Sequence, residues 1–139
     1  MKYRDGYKNV IFEDIEFDVP IFPPRDITSE YVDLTMDGVL RVKRNFAFDG
    51  PSGPTFEKLF PWWYRNTITP ATAHDALYSL MRDGFLSGAN RKKADQVLRD
   101  MMIERGVSKL RANFWYRAVQ AGAGHSADPS HKRKIKEAP

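Results

Sequence analysis

Tyr31-Val-Asp-Leu-Thr-Met36-Asp37-Gly38-Val39-Leu-Arg-Val-Lys-Arg-Asn-Phe-Ala-Phe48 places two alternating apolar and polar segments on either side of an Asp-Gly pair. A period of two lines up one set of side chains on a single strand face. Asp-Gly accepts the positive φ that a tight turn demands, so the stretch predicts an antiparallel hairpin. Upstream, Ile15-Glu-Phe-Asp-Val19 alternates in the same way, and Tyr7 to Phe12 is a shorter apolar run. Pro20, Pro23 and Pro24 interrupt the chain between these strands. Asp49-Gly-Pro-Ser-Gly-Pro54, at the end of the second alternating segment, reads as loop.

Further along, the period changes to a helical one. Thr69-Pro70 is a good helix start, because Thr can cap and Pro at the first position sacrifices no needed hydrogen bond. It predicts a helix from about Pro70 to Met81 that stops before Gly84. Asn90 can cap a second helix, Arg91 to Glu104, ending at Gly106, with Ala94, Val97, Leu98, Met101 and Met102 at helical spacing. Ser108 can cap a third, Lys109 to Ala121, expected to bury Leu110, Phe114, Trp115 and Val119 along one side. The fold class that follows is α+β: a small antiparallel sheet in the N-terminal half, then a three-helix unit.

At 139 residues the chain is long enough for one domain with its own core. Its 42% apolar and 13% aromatic content is that of a globular protein, and no apolar run approaches the roughly 20 residues of a membrane span. Met1-Lys-Tyr-Arg-Asp-Gly6 lacks the apolar stretch of a secretory signal. Without Cys there is neither a disulfide framework nor a thiolate site. Much of the net charge of +4 comes from Lys132, Arg133, Lys134 and Lys136. A single domain over 1–124 and a basic, solvated tail over 125–139 are expected, with a weak nucleic-acid contact through that tail as the alternative.

His74 is the only His in the body of the chain; His125 and His131 fall in the tail. His74 and Asp75 diverge by about 100° on a helix, so both can border one cleft without readily bonding each other. Asp95, on an antiparallel second helix, is the expected partner that fixes the imidazole as a general base. Asp75 is then free to hold a hard cation, calcium or zinc, with Asp49 and Gly50 of the loop. Ser52 offers a nucleophile for a Ser52–His74–Asp95 set, or is an ordinary turn residue. Trp62, Trp63 and Tyr64 form either core or an aromatic substrate rim. Taken singly, Asp75 and Asp95 also make sense as first-turn residues that favour the helix dipole.

Phe48-Asp49-Gly50-Pro51-Ser52-Gly53-Pro54, Ala73-His74-Asp75-Ala76-Leu77-Tyr78 and Arg91-Lys92-Lys93-Ala94-Asp95, in that order, resemble the phage and prophage family called domain of unknown function 1353. The resemblance runs from about Val39 to Gly122 and implies a phage or prophage gene near virion and lysis functions. More distantly, His-Asp-x-x-Tyr followed by Ala-Asp is similar to secreted and parvoviral phospholipases A₂. That similarity implies His74 as base, Asp95 as its orienter, Tyr78 as support for Asp95, and Asp75 as a calcium ligand. Pro51 and Pro54 depart from its calcium-loop pattern, since they remove amides such loops use. The expected function is a phage-encoded, virion-associated hydrolase of a cell-envelope component, either a lipid ester or peptidoglycan. The competing expectation is a non-catalytic virion or assembly protein, partnered by other virion proteins, in which the His/Asp cluster is structural. Either would reside in the phage virion or the host cytoplasm.

Overall fold

The structure, a computed structural model, describes residues 2–4, 9–48, 61–122 and 135–137; of 2–4, 9, 61–67, 122 and 135–137 it describes the backbone alone. Among these residues the first half is strand and the second half helix, as the α+β pattern requires. The main sheet contains β3 (Ile15–Asp18), β4 (Ile27–Thr28), β5 (Val32–Leu34) and β6 (Val39–Val42), in the order β3-β6-β5-β4 with every pairing antiparallel. Among the described residues there are two further small antiparallel pairings, β1 (Lys2–Arg4) with β8 (Ile135–Glu137) and β2 (Asn9–Val10) with β7 (Ala47–Phe48). Three residues of the expected basic tail thus run beside the first strand.

The hairpin forms where Asp37-Gly38 predicts it. Leu34 pairs with Leu40, Asp33 with Arg41 and Val32 with Val42. Period-two alternation therefore sends Val32, Leu34, Leu40 and Val42 into the core, each at most 2% exposed. Polar partners share the other face, where Arg41 meets Glu16 and Asp14, and Lys43 Nζ lies 2.8 Å from Asp33. Val39 to Phe48 is not one strand. A turn at Arg44 and Asn45, with Asn45 at φ 75°, separates β6 from β7 and redirects the chain to β2. Asn tolerates that left-handed backbone, and Asp14 Oδ1 accepts the Arg44 amide at 2.7 Å.

Three helices follow: α1 (Pro61–Arg82), α2 (Arg91–Glu104) and α3 (Lys109–Gly122). The first begins nine residues before the expected Pro70, which lies inside it. An internal Pro cannot donate to the carbonyl four residues back, at a cost of about 3 kcal/mol. Here its ring is among the fully buried groups of the core, which offsets that loss. Thr72 Oγ1 donates to the Ile68 carbonyl at 2.8 Å. The ends of α1 and α2 match their glycines, Gly84 and Gly106. At the end of α2 the Val107 amide bonds the Met102 carbonyl and the Gly106 amide that of Ile103, around Gly106 at φ 94°. Asn90 does not cap α2; it lies in a 3₁₀ turn, Gly88–Asn90, capped instead by Ser87. Ser108 does cap α3, accepting the Arg111 amide at 3.3 Å.

The sheet, α1 and one face of α2 share the main core, with Ala73, Ala76, Leu77, Leu80, Ala94 and Val97 among its buried residues. A smaller core of Leu98, Met102, Val107, Ala112 and Trp115 joins α2 to α3. Leu110 and Phe114 are not part of it: they are 83% and 66% exposed, because the buried face of α3 runs through Ala112 and Trp115 instead. Among the described residues, no helix is long and apolar enough to cross a membrane.

Gly38 is the tightest point of the hairpin. It sits at φ +85°, and a Cβ there would lie 2.4 Å from the Val19 carbonyl oxygen and 2.9 Å from the Phe22 ring. Gly106 has a similar φ but open space around it. Left-handed strain costs about 1–3 kcal/mol per residue. Gly106→Ala should lose about that amount in urea unfolding, and Gly38→Ala clearly more because backbone must also move. Equal losses would contradict the close approach.

Candidate active site

The site is made by two helices that touch through small residues. Ala73 and Ala76 on α1 and Ala94 on α2 are all fully buried, which lets the two helices come close. One residue along from Ala73 and Ala94 stand His74 and Asp95. His74 Nε2 lies 2.7 Å from Asp95 Oδ1, the length of a charge-assisted bond. Tyr78, one turn after His74, donates its hydroxyl to the same oxygen at 2.6 Å. The two rings lean together, their centroids 4.3 Å apart. Gln120, from the last turn of α3, donates Nε2 to Asp95 Oδ2, while Arg91 donates Nη2 to the Gln120 carbonyl. Arg91 Nε is 4.0 Å from Asp95 Oδ2.

Asp95 is wholly buried. An unpaired carboxylate at such a depth would cost several kcal/mol. Three donors and a nearby guanidinium from three helices replace the water it has lost. The Tyr78 phenol is pushed well above its ordinary value, first by burial and then by its bond to Asp95, so it remains a donor.

His74 is only 6% exposed. Burial by itself would lower its pKa, but the neighbouring Asp75 and Asp95 carboxylates more than reverse this and hold the imidazole above 6.5. The two carboxylates occupy opposite ring nitrogens. Nε2 faces Asp95, and Nδ1 lies 3.4 Å from Asp75 Oδ1, a contact at the outer limit of hydrogen bonding. Adjacent positions on the helix thus diverge less in effect than their angular separation implies. A doubly protonated ring satisfies both neighbours, whereas a neutral ring keeps its proton on Nε2 and leaves Nδ1 as a base.

The structure brings His74, Asp95 and Tyr78 into one bonded group, with Asp75 at its more exposed edge. Asp49, Gly50 and Ser52 lie outside the described residues, as do the side chains of Trp62, Trp63 and Tyr64 in the first turn of α1. Among the described residues, no group of three or more His, Asp or Glu side chains converges as a metal set. A calcium shell takes about six to eight oxygens, and the loop expected to supply them beside Asp75, with Asp49 and Gly50, lies outside the described residues. Gln120 and Arg91 escape a reading of the sequence. Arg91 had a signal, the i,i+4 spacing to Asp95. Gln120 had none, since its partner is 25 residues away on another helix.

Because the folded-state pKa of His74 is raised, protonation stabilises the fold fully below the unfolded value near 6.5 and the benefit fades as pH rises through the folded value. Relative to His74→Gln, the native chain should therefore hold its largest stability margin near about pH 5.5 and a smaller one near about pH 8.5. Urea unfolding of both proteins measures this, and a margin that grows with pH would contradict the arrangement.

A family model matches the chain, whereas neither the curated proteins nor the solved structures yield a match. The family model covers residues 26–119, more than half of the chain, and spans the hairpin, the His74–Asp95 pair and most of α3. The chain therefore belongs to the family described as protein of unknown function, DUF1353.

Proposed function

We propose that the protein is a phage-encoded hydrolase of a cell-envelope component, with His74 as general base and Asp95 as the residue that orients it. The observation that carries this reading is the 2.7 Å bond from His74 Nε2 to a carboxylate with no exposed surface, leaving Nδ1 on the side toward the half-buried Asp75. Burying a charged pair is rarely the most stabilising choice for a helix interface, and perturbed groups concentrate at functional sites.

In this reading neutral His74 takes a proton from water at Nδ1 as the water oxygen bonds to the substrate carbonyl carbon. Asp95 stabilises the imidazolium so formed through Nε2–H. The same proton then passes from Nδ1 to the leaving oxygen or nitrogen as its bond to the carbonyl carbon breaks. Tyr78 and Gln120 hold the Asp95 carboxylate in line with the ring. Since His74 must be neutral to act, and its pKa is raised, the rate should climb with pH through that value.

Fatty-acid release from phospholipid vesicles and release of soluble fragments from peptidoglycan are the two assays. His74→Gln and Asp95→Asn should each lower the rate by about 10²–10⁴-fold, the usual worth of a positioned base. Tyr78→Phe should lower it less. The low exposure of His74 favours the other reading, a virion or assembly protein whose polar cluster serves only to join helices. Its signature is the absence of turnover on both substrates, together with variants that only melt earlier.

A further inference from the structure

The outer face of α3 carries a feature with no part in the dyad. Leu110 and Phe114, one turn apart, are 83% and 66% exposed. At about 100° per residue, Leu110, Phe114, Arg117 and Ala121 fall on one stripe, opposite the Ala112–Trp115–Val119 side that packs on α2. Arg117 and Ala121 are exposed as well. The stripe is convex, two large apolar side chains standing out from a helix whose other side is anchored in the small core.

Charge decides what such a face meets. Lys109, Arg111 and Arg117 lie on α3, Arg105 is exposed just before it, and the helix contains no acidic residue. Asp100 and Glu104, the nearest acids preceding it in sequence, belong to α2, and Asp100 bonds Arg99. A second copy would bring the same basic helix against this one, so like charges oppose a symmetric pairing. An anionic surface is matched by the cations, and a soft one accepts protruding Leu and Phe without needing a complementary groove.

We propose that the outer face of α3 docks on the surface of an anionic phospholipid bilayer, inserting Leu110 and Phe114 among the headgroups while Lys109 and Arg117 contact the lipid phosphates. This association stands apart from the hydrolase reading, because it needs no turnover.

Co-sedimentation of the full chain tests it, with vesicles of equimolar phosphatidylglycerol and phosphatidylcholine and with vesicles of phosphatidylcholine alone. The native chain should sediment with the anionic vesicles only, and less so in high salt. Leu110→Glu and Phe114→Glu should each weaken binding at least about tenfold. Lys109→Glu and Arg117→Glu should each weaken it about fivefold or more. These positions are exposed, so circular dichroism and melting should be unchanged. Equal binding to neutral vesicles, no binding to either, or full binding by Phe114→Glu would overturn the proposal. So would light scattering that shows a dimer dissolved by Phe114→Glu.

Discussion

A carboxylate with no access to water organises the helical half of this protein. Asp95 has to be given partners from somewhere, and each helix contributes: hydrogen bonds from His74 and Tyr78 on α1 and from Gln120 at the end of α3, and the nearby charge of Arg91 at the start of α2. Apolar packing alone would leave the helices free to slide by a turn, because Ala, Leu and Met surfaces tolerate repacking. A shared buried acceptor does not, since a slip of one residue would strand its charge. The sheet depends on this indirectly, for α1 closes its apolar face.

The strand half was largely legible because its signals are local. Alternation and an Asp-Gly turn sit within a dozen residues, and Gly38 adopts the backbone that turn requires. The Gly106 and Ser108 boundaries were legible for the same reason. Pro70 misled because a proline that normally opens a helix is here held within one by burial of its ring, a fact of tertiary packing. Leu110 and Phe114 misled because helical spacing identifies candidate faces, and α3 uses the face bearing the small Ala112 beside Trp115. Of the site, the His74–Asp95 pair could be anticipated from antiparallel helices, while Gln120 could not, having no positional relation to its partner.

The geometry joins two properties in one small unit. A histidine between two carboxylates has its proton affinity set by their charge against the penalty of burial. Behind the pair, α3 links this interior chemistry to the exterior, with Gln120 turned to Asp95 and Phe114 turned to solvent. Besides the apolar packing, Gln120 and the Arg91 side chain that bonds its backbone carbonyl tie that helix to the carboxylate.

The reach of Gln120 has a further consequence for where this unit stops. The family match closes at residue 119, one position before the side chain that satisfies the second oxygen of Asp95. A fragment trimmed to the matched interval would contain both members of the pair yet lack the amide that keeps the carboxylate supplied. Water, or a shift of Arg91, would then have to fill the gap at the interface of α2 and α3. A piece that keeps the Asp95 cluster whole therefore extends past the matched interval, to the last turn of the third helix.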